Sequence, residues 1–200
     1  MLLRILQSVQ SMKAMTAVVL ALLLALGAAK ATALERAGLT IPALVRVEGE
    51  SRPWPLVGHA QVQRSFIPFF GLALYRPLEF MEDDPARGLT PLRLTLVWYA
   101  PSLPAEQVRD HFRKGFERAV GGDQQFERLA GRVEKFLALL PAASRGKTVT
   151  FHYSPDAGTR VSVEGGGSET FAGIEFNRAF LAIWFGPSAD PELRKALGAG

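Results

Sequence analysis

The spacing of apolar residues changes back and forth along the chain, and that succession constrains the fold more than any other feature. Over residues 92–99, Leu92, Leu94, Leu96 and Trp98 alternate with Arg93 and Thr95, the period of a strand with one buried face. From Pro104 the spacing lengthens to that of a helix, through Val108, Phe112 and Phe116, and Pro104 suits the start of such an element. Gly121-Gly122 stops it. A second helix starts near Asp123, an N-cap residue type, and carries Phe126, Leu129, Val133, Phe136, Leu137 and Leu140 on one stripe before Pro141. Alternation returns over 147–153, where Val149, Phe151 and Tyr153 oppose Thr148, Thr150 and His152, and residues 159–163 answer it across a Ser154-Pro155-Asp156-Ala157-Gly158 turn.

The flanks complete the order. Over 56–66, Ala60, Val62, Arg64 and Phe66 share one face and Gln61, Gln63 and Ser65 the other, and after Pro68 residues 69–75 form a second strand entered through a turn or bulge. Residues 79–91 are a loop. Gly165-Gly166-Gly167 closes the 159–163 strand, residues 174–185 are dense enough in apolar side chains for a mostly buried helix, and 191–197 form a last short one. Strands, two helices, strands and two helices again give an α+β class: an antiparallel sheet with helices packed on one face.

The N-terminus has a different character. Arg4 and Lys13 precede an apolar run over residues 15–29, followed by the small-x-small tripeptide Ala31-Thr32-Ala33, so residues 1–33 are expected to be a cleaved signal peptide. The run is shorter than the ~20 residues that span a bilayer, and no stable membrane insertion is expected after cleavage. Residues 34–55 are a polar lead-in, and residues 56–200 one domain in the periplasm.

Composition narrows the function. The chain has no cysteine, which excludes disulfides, a lipoprotein anchor, thiolate metal sites and thiol nucleophiles. Three of its 23 lysines and arginines but none of its 19 acidic residues lie in the leader, leaving 20 cations against 19 anions. With no long run of like charge, a nucleic-acid partner is not expected. His59, His111 and His152 lack metal-ligand spacing, and neither a metal nor a cofactor is expected. Glu82-Asp83-Asp84 supplies too few oxygens for a closed cation site, the triple glycine lacks the Lys-Ser/Thr of a phosphate loop, and no Gly-x-Ser-x-Gly elbow occurs.

Three C-terminal phrases then stand in order: Gly146-Lys147-Thr148-Val149-Thr150-Phe151-His152-Tyr153-Ser154-Pro155, Gly158-Thr159-Arg160-Val161 with Gly165, and Ile183-Trp184-Phe185-Gly186-Pro187. Upstream, Leu56-Val57-Gly58-His59-Ala60 precedes Leu72-Ala73-Leu74-Tyr75, and the segment from Asp190 to Gly198 closes the chain. Together they resemble the bacterial chalcone isomerase-like family of periplasmic proteins. The resemblance implies an open-faced β-sandwich with a ligand cleft between sheet and helices.

The family's enzymes hold a phenolate and stabilise an enolate, a task for a guanidinium and neighbouring hydroxyls. At the positions that the resemblance aligns with the family's Arg, Tyr and Asn, this chain carries Gln61 or Val62, Pro104 and His111. The expected function is therefore non-catalytic binding of a fatty acid or similar small apolar ligand, with its carboxylate near Arg64 and with Tyr75, Tyr153 and His111 as further ligand contacts. Two alternatives remain open. One is an isomerase of enone or chalcone-type substrates, with Arg64 or a tyrosine stabilising the oxyanion. The other is an envelope interaction module whose cleft is filled by its own phenylalanines.

Overall fold

The computed structural model describes residues 34–36, 39–64 and 66–198; for residues 34–36 and Arg64 it describes the backbone alone. The expected signal peptide lies outside the described residues. Short strands β1 (Leu34–Arg36), β2 (Leu39–Ile41) and β3 (Leu44–Val45) lead into β4 (Trp54–Arg64) and β5 (Ile67–Tyr75). After β6 (Leu92–Trp98) and β7 (Ser102–Leu103) come α1 (Ala105–Val120) and α2 (Asp123–Leu139). Then follow β8 (Ala143–Ser144), β9 (Thr148–Ser154), β10 (Gly158–Val163), β11 (Ser168–Phe171), α3 (Ile174–Phe185) and α4 (Pro191–Ala196).

Seven strands form the main sheet in the order β11-β10-β9-β6-β5-β4-β3, each antiparallel to its neighbours. Register puts Ala60, Leu72, Leu96 and Val149 in one row and Leu74, Leu94, Phe151 and Val161 in the next, all buried in one cluster. That is the helix-covered face. Helices α1, α2 and α3 converge on Phe151, whose ring lies 5.9 Å from Phe112, 6.1 Å from Phe136 and 5.1 Å from Phe180. Two of these contacts are tilted and the one with Phe136 is stacked, and together they bury a large apolar area. One polar group sits inside this layer with its bonds made: Asn177 accepts from the Thr159 hydroxyl at 2.6 Å and donates to the carbonyls of Phe171 and Gly173.

Four details depart from the sequence expectation. Asp123 is the first helical residue of α2, with Gly122 at the cap. The edge strand β11 follows the triple glycine unannounced, because only Phe171 in it is buried. A register shift between Val62 and Gln63 breaks the uniform alternation expected through Arg64. Most consequentially, the lead-in covers part of the sheet's other face. Ile41, Trp54, Ala73 and Tyr75 form a second buried cluster, with Val45, Val47 and Leu56 packed against it.

The loop after β5 is held by Arg76, which is only 3% exposed and donates to the Asp83 carbonyl at 2.6 Å and to the Thr90 hydroxyl at 3.1 Å. Glu82, Asp83 and Asp84 are exposed, and Asp84 caps a short 3-10 turn by accepting from the Ala86 amide. Among the described residues no helix is long and apolar enough to cross a membrane.

Candidate functional site

Strand β3 pairs only with Trp54 and Pro55, so beyond Leu56 the described β4 borders no further strand. Along that free edge a cleft of about 750 Å³ opens, walled by β4, Phe70 of β5, α1, the end of α3, and α4. Its apolar lining includes Ala60, Val62, Phe70, Ile183, Trp184 and Leu193. This volume is within the range of small-molecule sites and well above the ~300 Å³ at which such sites begin. The phenylalanines of this chain do not fill it.

The rim is polar and mixed. His111 and Arg118 approach from α1, seven residues apart and therefore on one helix face, while Asp190 and Glu192 approach from the start of α4. Asp190 is committed to the fold, since its Oδ1 accepts from the Glu192 and Leu193 amides at 2.8 and 3.1 Å. Arg118 has no carboxylate within 4 Å among the described residues. His111 sits among aromatic rings, 5.7 Å from Phe69, 5.5 Å from Phe70 and 5.9 Å from Phe112. In the inner wall, the Trp184 indole N–H is sealed from solvent without an acceptor.

The expected site residues separate in space. His111 lines the cleft, as do Gln61 and Val62, which stand where the resemblance places an arginine. Pro104 is the N-cap of α1 and is not among the lining residues. Arg64 ends β4 beyond the register shift, and its side chain lies outside the described residues.

Tyr75 lies in the second cluster, on the face opposite the helices, and its hydroxyl donates to the Pro42 carbonyl at 2.9 Å. It does not meet the cleft. Burial pushes its phenol up to about 12, opposed by the neighbouring Arg93 charge. Tyr153 belongs to the helix-covered core, but its hydroxyl donates to the Gly88 carbonyl at 2.7 Å and it lines a separate pocket of about 310 Å³. Burial raises its phenol as well.

Arg118, His59 and Trp184 are among the cleft residues to which sequence reasoning assigned no ligand role. The signal for Arg118 was its seven-residue offset from His111; nothing in a single sequence marks Trp184 as cleft wall instead of core. The set offers an apolar wall, two imidazoles, those of His59 and His111, and one guanidinium. It has no hydroxyl or guanidinium at the matched positions with which to steady an enolate.

Among the described residues no group of three or more His, Cys, Asp or Glu is placed to hold a metal ion. No curated protein matches the sequence. Among solved structures, the fold is similar to that of a fatty-acid binding protein from Arabidopsis thaliana, with a TM-score of 0.64 at 15% identity over 83% of this chain and 95% of that one. The sequence model described as chalcone isomerase-like matches residues 33–198, nearly all of what the structure describes. With sheet order, helix layer and sequence pattern in agreement, the chain belongs to the chalcone isomerase-like family.

Proposed function

We propose that this protein is a non-catalytic carrier of a small apolar molecule, a fatty acid or a ligand like it, held in the cleft beside β4. The observation that carries this reading is the cleft itself: about 750 Å³ with an apolar wall and Gln61 and Val62 at the family's arginine position. The fatty-acid binding protein of the same fold supports it. Arg118 holds the ligand carboxylate by a charge-assisted hydrogen bond, and Arg64, the anchor expected from the sequence, is tested beside it. The protein works after export to the periplasm, released from residues 1–33.

Purification from an envelope fraction, native mass spectrometry and solvent extraction identify a carried molecule, and titration with palmitate and hexadecanol measures the site. Val62→Trp, which narrows the cleft beside β4, is expected to weaken binding of both. Arg118→Ala is expected to weaken palmitate about tenfold and leave hexadecanol unchanged, with Arg64→Ala tested beside it. Unaltered palmitate binding in the Val62→Trp protein, or catalysed turnover of a chalcone, would overturn the reading.

A further inference from the structure

The sheet face opposite the cleft carries a groove of about 600 Å³, between residues 47–49 of the lead-in and strands β6, β9, β10 and β11. Register places Arg93, His152 and Arg160 directly opposite one another across three adjacent strands. The two guanidiniums thus flank His152 two strands apart in one row, an arrangement that interleaved carboxylates ordinarily neutralise. Here the Arg160 guanidinium meets Glu48 at 3.2 Å, in a pair whose Glu48 side chain is 88% exposed.

Arg93 has no such partner. It is half-buried, with no carboxylate within 4 Å among the described residues. Its donors reach the Thr95 hydroxyl at 3.4 Å, the Arg46 carbonyl at 3.4 Å and the Thr150 hydroxyl at 3.5 Å. All three exceed the ordinary N–H to O distance. A latch between lead-in and sheet does not need a desolvated guanidinium for one long bond to a carbonyl.

Next to it, His152 has a sealed Nδ1 without a partner, and its ring lies 5.4 Å from that of Trp54. Burial first, then the Arg93 charge, hold this imidazole below its usual range; Arg160 adds to that and Glu50 opposes it. Hydroxyls of Thr150, Ser162 and Thr170 line the same groove.

We propose that this groove is an oxyanion site, taking a carboxylate or phosphate group on the Arg93 fork with the Thr150 and Ser162 hydroxyls completing its shell. A planar guanidinium matches two oxygens of such a group, and the bound charge removes the mismatch along the row from Arg93 to Arg160. The site is independent of the apolar cleft, because no residue lines both.

Calorimetric titration of the protein with inorganic phosphate and with citrate tests this. Sedimentation with phosphatidylcholine vesicles, with and without phosphatidylglycerol, distinguishes a free anion from a lipid headgroup. Binding in either arm that weakens at least tenfold in Arg93→Gln and several-fold in Thr150→Val, and persists in Val62→Trp, supports the site. Should Arg93→Gln fail to fold, Arg160→Gln carries the test, since that side chain is half exposed. Absence of binding to phosphate, citrate and anionic vesicles overturns the proposal, as does binding that the groove substitutions leave unchanged.

Discussion

Gly58 of β4 lies against the backbone of Leu197: a Cβ at Gly58 would stand 2.8 Å from the Leu197 Cα and 2.9 Å from the Ala196 carbonyl oxygen. The obstacle is main chain, which cannot rotate away. Gly58→Ala is therefore expected to push α4 off β4 and cost ~1–3 kcal/mol, read as a shift in the urea midpoint. Because Leu193 and Ala196 wall the cleft, palmitate affinity is expected to fall with it.

Tyr75 makes stability depend on alkaline pH. Its phenol ionises near 10 in the unfolded chain and at about 12 in the folded one, so between these values the folded state retains a proton that the unfolded state has lost. Stability is fully present below pH ~10 and declines as pH rises towards ~12, by at most ~3 kcal/mol. Tyr75→Phe is expected to lose ~1 kcal/mol at neutral pH through the Pro42 bond and to show a shallower alkaline decline; urea melts at several pH values compare the two.

Asn177 is 5% exposed and joins α3 to β10 and to the residues leading into α3. Asn177→Ala removes the buried partner of the Thr159 hydroxyl and the side-chain donor to the Phe171 carbonyl, while the Gly173 carbonyl keeps the backbone amide of residue 177. A loss of ~2–4 kcal/mol is expected by denaturant unfolding. The double change Thr159→Val with Asn177→Ala is expected to cost less than the two single losses combined, since the two side chains share one network.

Phe66, at the tip of the β4–β5 hairpin, adopts a left-handed φ of 66° while its side chain is 95% exposed. A bulky residue gains nothing there and bears the steric cost of that backbone. Phe66→Asn is expected to stabilise the protein by ~0.5–1 kcal/mol, visible as a higher thermal midpoint. No rise would mean that the tip makes contacts that favour phenylalanine.

Elements with a clean period were legible in the sequence. Strand β9 and helices α1 and α2 lie within a residue or two of where alternation and helical spacing put them, because each buries a single continuous face. Strand β11 was not legible, since Ser-Glu-Thr-Phe at an exposed edge carries no apolar rhythm. The lead-in reads as polar because its buried residues, Ile41 and Trp54, and its half-buried Val45 and Val47 are scattered among charged and turn residues. The candidate site was half legible. A family pattern points to β4 and α1, where His111 lies, but a strand tyrosine such as Tyr75 or Tyr153 is sent to one face or the other by parity. For Tyr153 the alternation with Val149 and Phe151 gave the parity, whereas Tyr75 ends a continuous apolar run and its face became known only with the register of the sheet.

The early-made lead-in and β4 are fastened by late-made residues. Glu48 pairs with Arg160 across 112 positions of sequence, and Gly58 receives Leu197, almost the last residue described. Contacts so distant along the chain make folding slow, because the loop-closure entropy is lost before any contact forms. During synthesis, and in any chain truncated before α4, the edge of β4 therefore stands bare, with backbone groups ready to pair with a foreign strand. The half-made chain, more than the finished fold, is the aggregation-prone species.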